Sequence, residues 1–166
     1  MAINPAYAGS RGALSIFGLY RTQWVGLDGA PETSTFAINT PLNNSNLGLG
    51  VSLVNDKIGP TNENTLSADL SYSVPTSETF KLSFGIKGGA TFFNTSFDGF
   101  VYSDDLPDPA IANNLSRTFP NVGVGAFYFG ENYYLGLSSP NLLRTKHLER
   151  QDGIIATGVE EIHYFF

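Results

Sequence analysis

A two-beat rhythm runs through this chain, and few folds tolerate it. Short stretches alternate apolar with small or polar residues, and the joins between them are alternately brief and long. In Leu47-Gly48-Leu49-Gly50-Val51-Ser52-Leu53 one parity is Leu or Val and the other Gly or Ser; Leu66-Ser67-Ala68-Asp69-Leu70-Ser71-Tyr72-Ser73-Val74 repeats the pattern. The joins run long (21–32), short (42–45), long (55–64), short (75–78), long (94–120), short (130–132) and long (140–158). A barrel in an outer membrane has short periplasmic turns, longer outer loops, and strands that put apolar residues toward lipid and polar ones toward the lumen. A soluble sheet has no reason to sort its loops by side. The predicted fold is all-β: an antiparallel transmembrane β-barrel.

Composition agrees with this and removes several rivals. The length suits one domain, spanning 1–166. Abundant Gly, sparse charge and frequent aromatics suit many short strands. A net charge of −6 without a Lys/Arg cluster argues against a nucleic-acid surface. The absence of Cys excludes disulfides, thiolate metal sites and Cys nucleophiles. No apolar run is long enough for a spanning helix, a test that leaves a barrel untouched. Met1-Ala2-Ile3-Asn4-Pro5 has neither the basic nor the apolar region of a signal peptide, which an exported barrel needs. The numbering then begins in the mature chain, or a leader is missing.

About eight strands are predicted, over 13–20, 33–40, 47–53, 66–74, 80–93, 122–129, 133–138 and from 161 to the end. The first is ambiguous in facing, because Leu14 and Ile16 compete with Phe17 and Leu19. Gly88-Gly89 allows a bend or bulge. Helical turns are possible over 108–115, which opens on Asp-Pro, and over 142–150. Tyr72 and Phe80 flank one short turn, and Phe127, Tyr128, Phe129, Tyr133 and Tyr134 another, a placement that fits an interfacial girdle. Tyr and Phe are also simply good strand residues.

The predicted inner face is unusually small: Gly48, Gly50, Ser52, Ser67, Ser71, Ser73, Ser83, Gly85, Gly123, Gly125, Gly136 and Ser138 share it. A closed eight-stranded barrel fills its interior with side chains. These residues would leave it under-filled, so a wider wet lumen, or one occupied by another segment, fits better. Gly50 and Gly125 thereby become candidate partner-contact positions, with few inward charges such as Asp69, Lys81 and Lys87 beside them.

Chemistry-bearing motifs are scarce. Asp104, Asp105 and Asp108 offer oxygen ligands, but Pro107 and Pro109 interrupt them, and a solvated acidic loop explains them better than calcium. His147 lies among charges in a loop, and His163 alternates toward the lumen. No Gly-x-Ser-x-Gly elbow, phosphate loop, dinucleotide fingerprint or zinc pattern occurs, so neither an enzyme nor a cofactor is expected.

The most specific blocks are Asn4-Pro5-Ala6-Tyr7-Ala8-Gly9-Ser10 and Tyr20-Arg21-Thr22-Gln23-Trp24-Val25-Gly26-Leu27-Asp28-Gly29-Ala30-Pro31-Glu32-Thr33. They closely resemble the PorP/SprF family of type IX secretion and gliding-motility outer-membrane proteins. The resemblance continues through Gly48-Leu49-Gly50, Asp56-Lys57-Ile58-Gly59-Pro60 and Tyr133-Tyr134-Leu135-Gly136-Leu137-Ser138-Ser139-Pro140. Family members are longer and carry a signal peptide, so the resemblance implies the N-terminal half of such a barrel, without its leader and closing strands. It implies an outer-membrane location and a non-enzymatic role supporting export and surface attachment of adhesins. The implied partners are membrane lipid, the adhesin C-terminal domain and the periplasmic ring of the machine.

Read physically, Tyr7 would anchor the N-terminal segment at the interface or in the lumen. Tyr20, Arg21 and Trp24 would lie at the outer rim, and Asp28-Gly29 would turn the loop. These five, with Gly50 and Gly125, are the candidate partner-binding residues. Two other readings share parts of the pattern: a diffusion porin shares the polar lumen, and a soluble β-sandwich adhesion module turns the same apolar parity into a core.

Overall fold

The computed structural model describes residues 1–43, 45–96, 115–143, 145–146, 159–160 and 162–166. Its strands are β1 (Ser15–Thr22), β2 (Glu32–Pro41), β3 (Leu47–Ile58), β4 (Thr61–Pro75), β5 (Lys81–Thr95), β6 (Leu115–Phe129) and β7 (Tyr134–Ser139). They form one 7-stranded antiparallel meander in sequence order, curled into half a barrel. A single curled sheet overturns the sandwich reading, which needs two stacked sheets. Two further two-residue strands, β8 (Thr145–Lys146) and β9 (Val159–Glu160), pair only with each other.

The facing follows the predicted parity. Leu49, Val51, Leu53, Leu66, Leu70, Phe84, Ile86, Val122 and Val124 stand on the convex face and are exposed. The concave face buries Ser52, Ser67, Asp69, Ser71, Ser83 and Lys87. Among the described residues the buried hydrophobics are three alanines, Ala6, Ala8 and Ala37. This is an inverted protein: the apolar surface is outside, as lipid requires. No described helix is long and apolar enough to cross a membrane; the strands supply the crossing.

Several expectations are corrected. The sheet has seven strands rather than eight. The last residues touch β7 through one bridge, where Phe165 N donates to Ser138 O at 2.9 Å and Ser138 N to Phe165 O at 3.0 Å. Pro140 ends β7 and offers no N–H, so the template for an eighth strand is short. The long join predicted at 55–64 is a tight turn at Gly59-Pro60. β3 and β4 continue through the polar residues, pairing Asn55 with Asn64, Asp56 with Glu63 and Lys57 with Asn62. Residues 115–121 likewise belong to β6. Polarity on both faces reads as loop, but strands that project beyond the apolar band lose their alternation and keep their ladder.

That band has a visible border. On the convex face Asn55 Nδ2 donates to Asn62 Oδ1 at 2.8 Å and Asn64 Oδ1 at 2.9 Å, next to the apolar Leu53 and Leu66. Across the sheet, Ser116 Oγ donates to Asn94 Oδ1 at 2.7 Å.

Gly88-Gly89 makes no bulge; β5 pairs with both neighbours without a register break. The ambiguous β1 places Phe17 opposite the buried Ala37 on the concave side and Ile16 opposite Ile38 on the convex side. The helical reading of 142–150 fails where the chain is described, because Thr145–Lys146 are paired strand. In 108–115, Leu115 opens β6; the rest of that segment, the acidic trio Asp104, Asp105 and Asp108, and His147 lie outside the described residues.

The aromatic girdle is divided. Phe80 and Tyr128 stack at 5.2 Å on the convex face. Phe127, Phe129 and Tyr134 turn inward instead, with Phe127 stacked 5.0 Å from Phe129 and tilted against Tyr134 at 6.0 Å.

Candidate functional site

The concave face is covered by the chain's own beginning. Asn4 caps a 3₁₀ turn at Pro5–Tyr7, its Oδ1 accepting from Ala6 N at 2.9 Å. Pro at the first position suits such a turn, since its missing N–H would be unpaired anyway. Pro5, Ala6 and Ala8 are buried. The segment crosses the sheet from β6 toward β2 and then enters β1.

Four side-chain contacts hold it there. Asn4 Nδ2 donates to Ala126 O at 3.0 Å on β6. Ser71 Oγ on β4 donates to Ala8 O at 2.6 Å. Asn39 Oδ1 on β2 accepts from Gly9 N at 3.1 Å. Lys87 Nζ on β5 donates to both Met1 O and Ala2 O at 2.9 Å. Backbone groups of an irregular segment need partners once water is excluded, and the floor supplies them.

The small residues of the floor make the approach possible. A Cβ on Gly85 would overlap Pro5 and Ala6, and one on Gly48 would overlap the Ala8 carbonyl. Beneath the segment, Lys87 lies 3.8 Å from Asp69 Oδ1. Asp69 is only 1% exposed, and neither of its carboxylate oxygens has a hydrogen-bond partner. The Lys87 charge and its two carbonyl bonds are what this buried carboxylate is set against.

Six of the seven candidate partner residues fall into two groups, and Tyr20 stands apart. Tyr7 lies in the N-terminal segment, with Gly50 and Gly125 beneath that segment. Tyr7 packs edge-on to Phe127 at 5.4 Å, and its hydroxyl accepts from Arg11 Nε at 3.0 Å. Gly50 lies against the Met1 side chain, and Gly125 against Asn4 and Pro5. Arg21, Trp24 and Asp28 gather at the opposite end, in and beside the join between β1 and β2. Tyr20 stands on the convex face of β1, 62% exposed.

In that join Leu27 N donates to Trp24 O at 3.0 Å and Ala30 N to Leu27 O at 3.2 Å. Gly59 N donates to Gly29 O at 2.9 Å, docking the join on the β3–β4 turn. Trp24 is 68% exposed and has φ 53, a left-handed conformation that a bulky residue rarely adopts.

Sequence reasoning missed Asn39, Ser71, Asp69 and Lys87 as a working set. Asp69 and Lys87 were legible as inward charges, and they sit directly opposite in the register. His163 is exposed and borders a lumenal cavity of about 200 Å³ with Lys87 and Asn121. Among the described residues no group of three metal-ligating side chains occurs.

No curated protein and no solved structure matches the chain. The family model described as type IX secretion system membrane protein PorP/SprF matches residues 1–166. The curled antiparallel sheet, apolar on its convex face, is what an outer-membrane barrel of that system presents to lipid. The chain belongs to the PorP/SprF family of type IX secretion outer-membrane proteins.

Proposed function

We propose that this protein supports the export and surface attachment of adhesin cargo by binding the cargo's C-terminal domain, with no bond chemistry of its own. The observation that carries the reading is the rim at the end of the longer joins. There a Trp is held exposed in a left-handed backbone, and strained exposed residues concentrate at functional sites. Arg21 and Asp28 flank it and add charge of both signs, and Tyr20 fixes β1 at the membrane boundary. Tyr7, Gly50 and Gly125 act one step back, by seating the segment that leads into β1. In this arrangement the short turns face the periplasm, as in other barrels, and meet the ring components of the machine. The sheet edges at β1 and past β7 are covered by further strands or by a partner, because unpaired backbone is not viable in lipid.

The test is surface display. Cells carrying Arg21→Ala with Trp24→Ala should lose surface-exposed adhesin while keeping a wild-type level of the barrel in the outer membrane. Undiminished display with both substitutions present would remove this rim from the mechanism. A diffusion porin is the competing reading; the segment lying across the concave floor speaks against an open pore.

A further inference from the structure

The N-terminal segment fills space that an inner face of Gly and Ser leaves free, and it is held from four strands. We propose that residues 1–9 are a fixed plug, which seals this part of the lumen to solutes and makes the barrel a closed scaffold.

Three features separate a plug from a loosely folded tail. The first is shape. Gly85 and Gly48 let the backbone of Pro5, Ala6 and Ala8 lie directly on the sheet, where any side chain would collide. A tail that came and went would not require a floor without Cβ atoms beneath it. The second is backbone pairing. The carbonyls of Met1, Ala2 and Ala8 each receive a bond from a floor side chain. Releasing the segment leaves Ser71 and Lys87 without those acceptors, and Asp69 beside a Lys that has lost them. The third is burial: Pro5, Ala6 and Ala8 are shielded against the sheet, Ala6 at 0% and Ala8 at 1% exposure.

The plug also explains an otherwise odd composition. A lumen open to water needs polar side chains, not small ones. A lumen filled by its own backbone needs small ones with hydroxyls or amides at the points of contact. Ser71 and Asn39 stand at two of those points.

Two measurements test this on the full-length protein, and neither reads adhesin display, so this inference and the secretion reading fail separately. Purified protein in planar bilayers should show no stable conductance, whereas a variant lacking residues 2–12 should conduct. Steady current through the unaltered protein would overturn the plug. In this cysteine-free chain, Ala8→Cys should escape a small water-soluble thiol reagent, and the exposed Ala13→Cys should react fully. Equal labelling of the two overturns the proposal. Gly85→Leu, with folding verified by heat-modifiable gel mobility, should restore labelling at Ala8→Cys. A folded Gly85→Leu protein that still shields this cysteine shows that the close approach is not what holds the segment.

Discussion

Ser71 shows how much one residue can carry. Its parity was legible, for it alternates with the convex Leu70 and Tyr72 and faces inward. Its surroundings were not. The expectation of a wet lumen would make Ser71→Arg mild; Ser71 is in fact 1% exposed, with its hydroxyl on the Ala8 carbonyl. Local alternation reports a face, whereas what covers that face is set by a segment more than sixty positions away. Ser71→Ala should lower stability by about 1–2 kcal/mol, since it leaves a buried carbonyl without its donor, measurable by urea titration of the protein refolded into lipid vesicles. Lys87→Met should cost more, about 3–5 kcal/mol, because it strands the buried Asp69 charge. The double change Lys87→Met with Asp69→Leu should recover much of that loss. A double variant no better than the single would show that stability at this site does not depend chiefly on the charge pair.

At the scale of the strand, alternation located β3 to β6 well, and it failed where alternation itself ends. Residues 55–58, 61–65 and 115–121 are polar or mixed on both faces and pair nonetheless. Outside the hydrocarbon layer both faces of a strand meet water or protein, so the period of two disappears while the hydrogen-bond ladder persists. The tight turn between β3 and β4 uses Gly59 at φ 54, a position where a Cβ is unfavourable by roughly 1–2 kcal/mol. Gly59→Val should therefore destabilise the hairpin tip by about that amount, and denaturant titration will show it. Within the apolar band the sign of a substitution depends on face. Leu70→Arg should cost about 2–4 kcal/mol if Leu70 lies near the bilayer midplane, with loss of folded barrel on a cold gel. The meander also fixes sidedness: turns at 76–77 and 131 lie at one end, and those at 28 and 59 at the other. Cysteines placed there should be labelled from opposite sides of the membrane, and equal labelling from outside would contradict the topology.

For the whole molecule, family and membrane location were legible because the blocks around Asn4 and Trp24 are specific and because lipid imposes a strict pattern on strands. The occupant of the lumen was legible only as an absence. An inner face of Gly and Ser said that something else fills the space, and periodicity has no means of naming it, since the filling segment has no period of its own. Only the backbone register shows that Gly48, Ser71, Gly85, Gly125 and Ser138 form one row across five strands, and that Pro5 to Ala8 lie along it.

The same row has a consequence for the order in which the protein is made. Every strand pair joins neighbours in sequence, so the sheet can zip up hairpin by hairpin with little loop-closure cost. The bond from Asn4 to Ala126 spans 122 residues, and no partial meander provides it. Residues 4 to 9 precede every strand of the sheet in sequence, yet find all their partners only after β6 is in place. A chain stalled at β4 would hold Ala8 and leave Asn4 and Pro5 adrift. Docking of residues 4 to 9 is thus complete only once β6 has paired, and a well-seated segment certifies that the sheet behind it has been built at least that far.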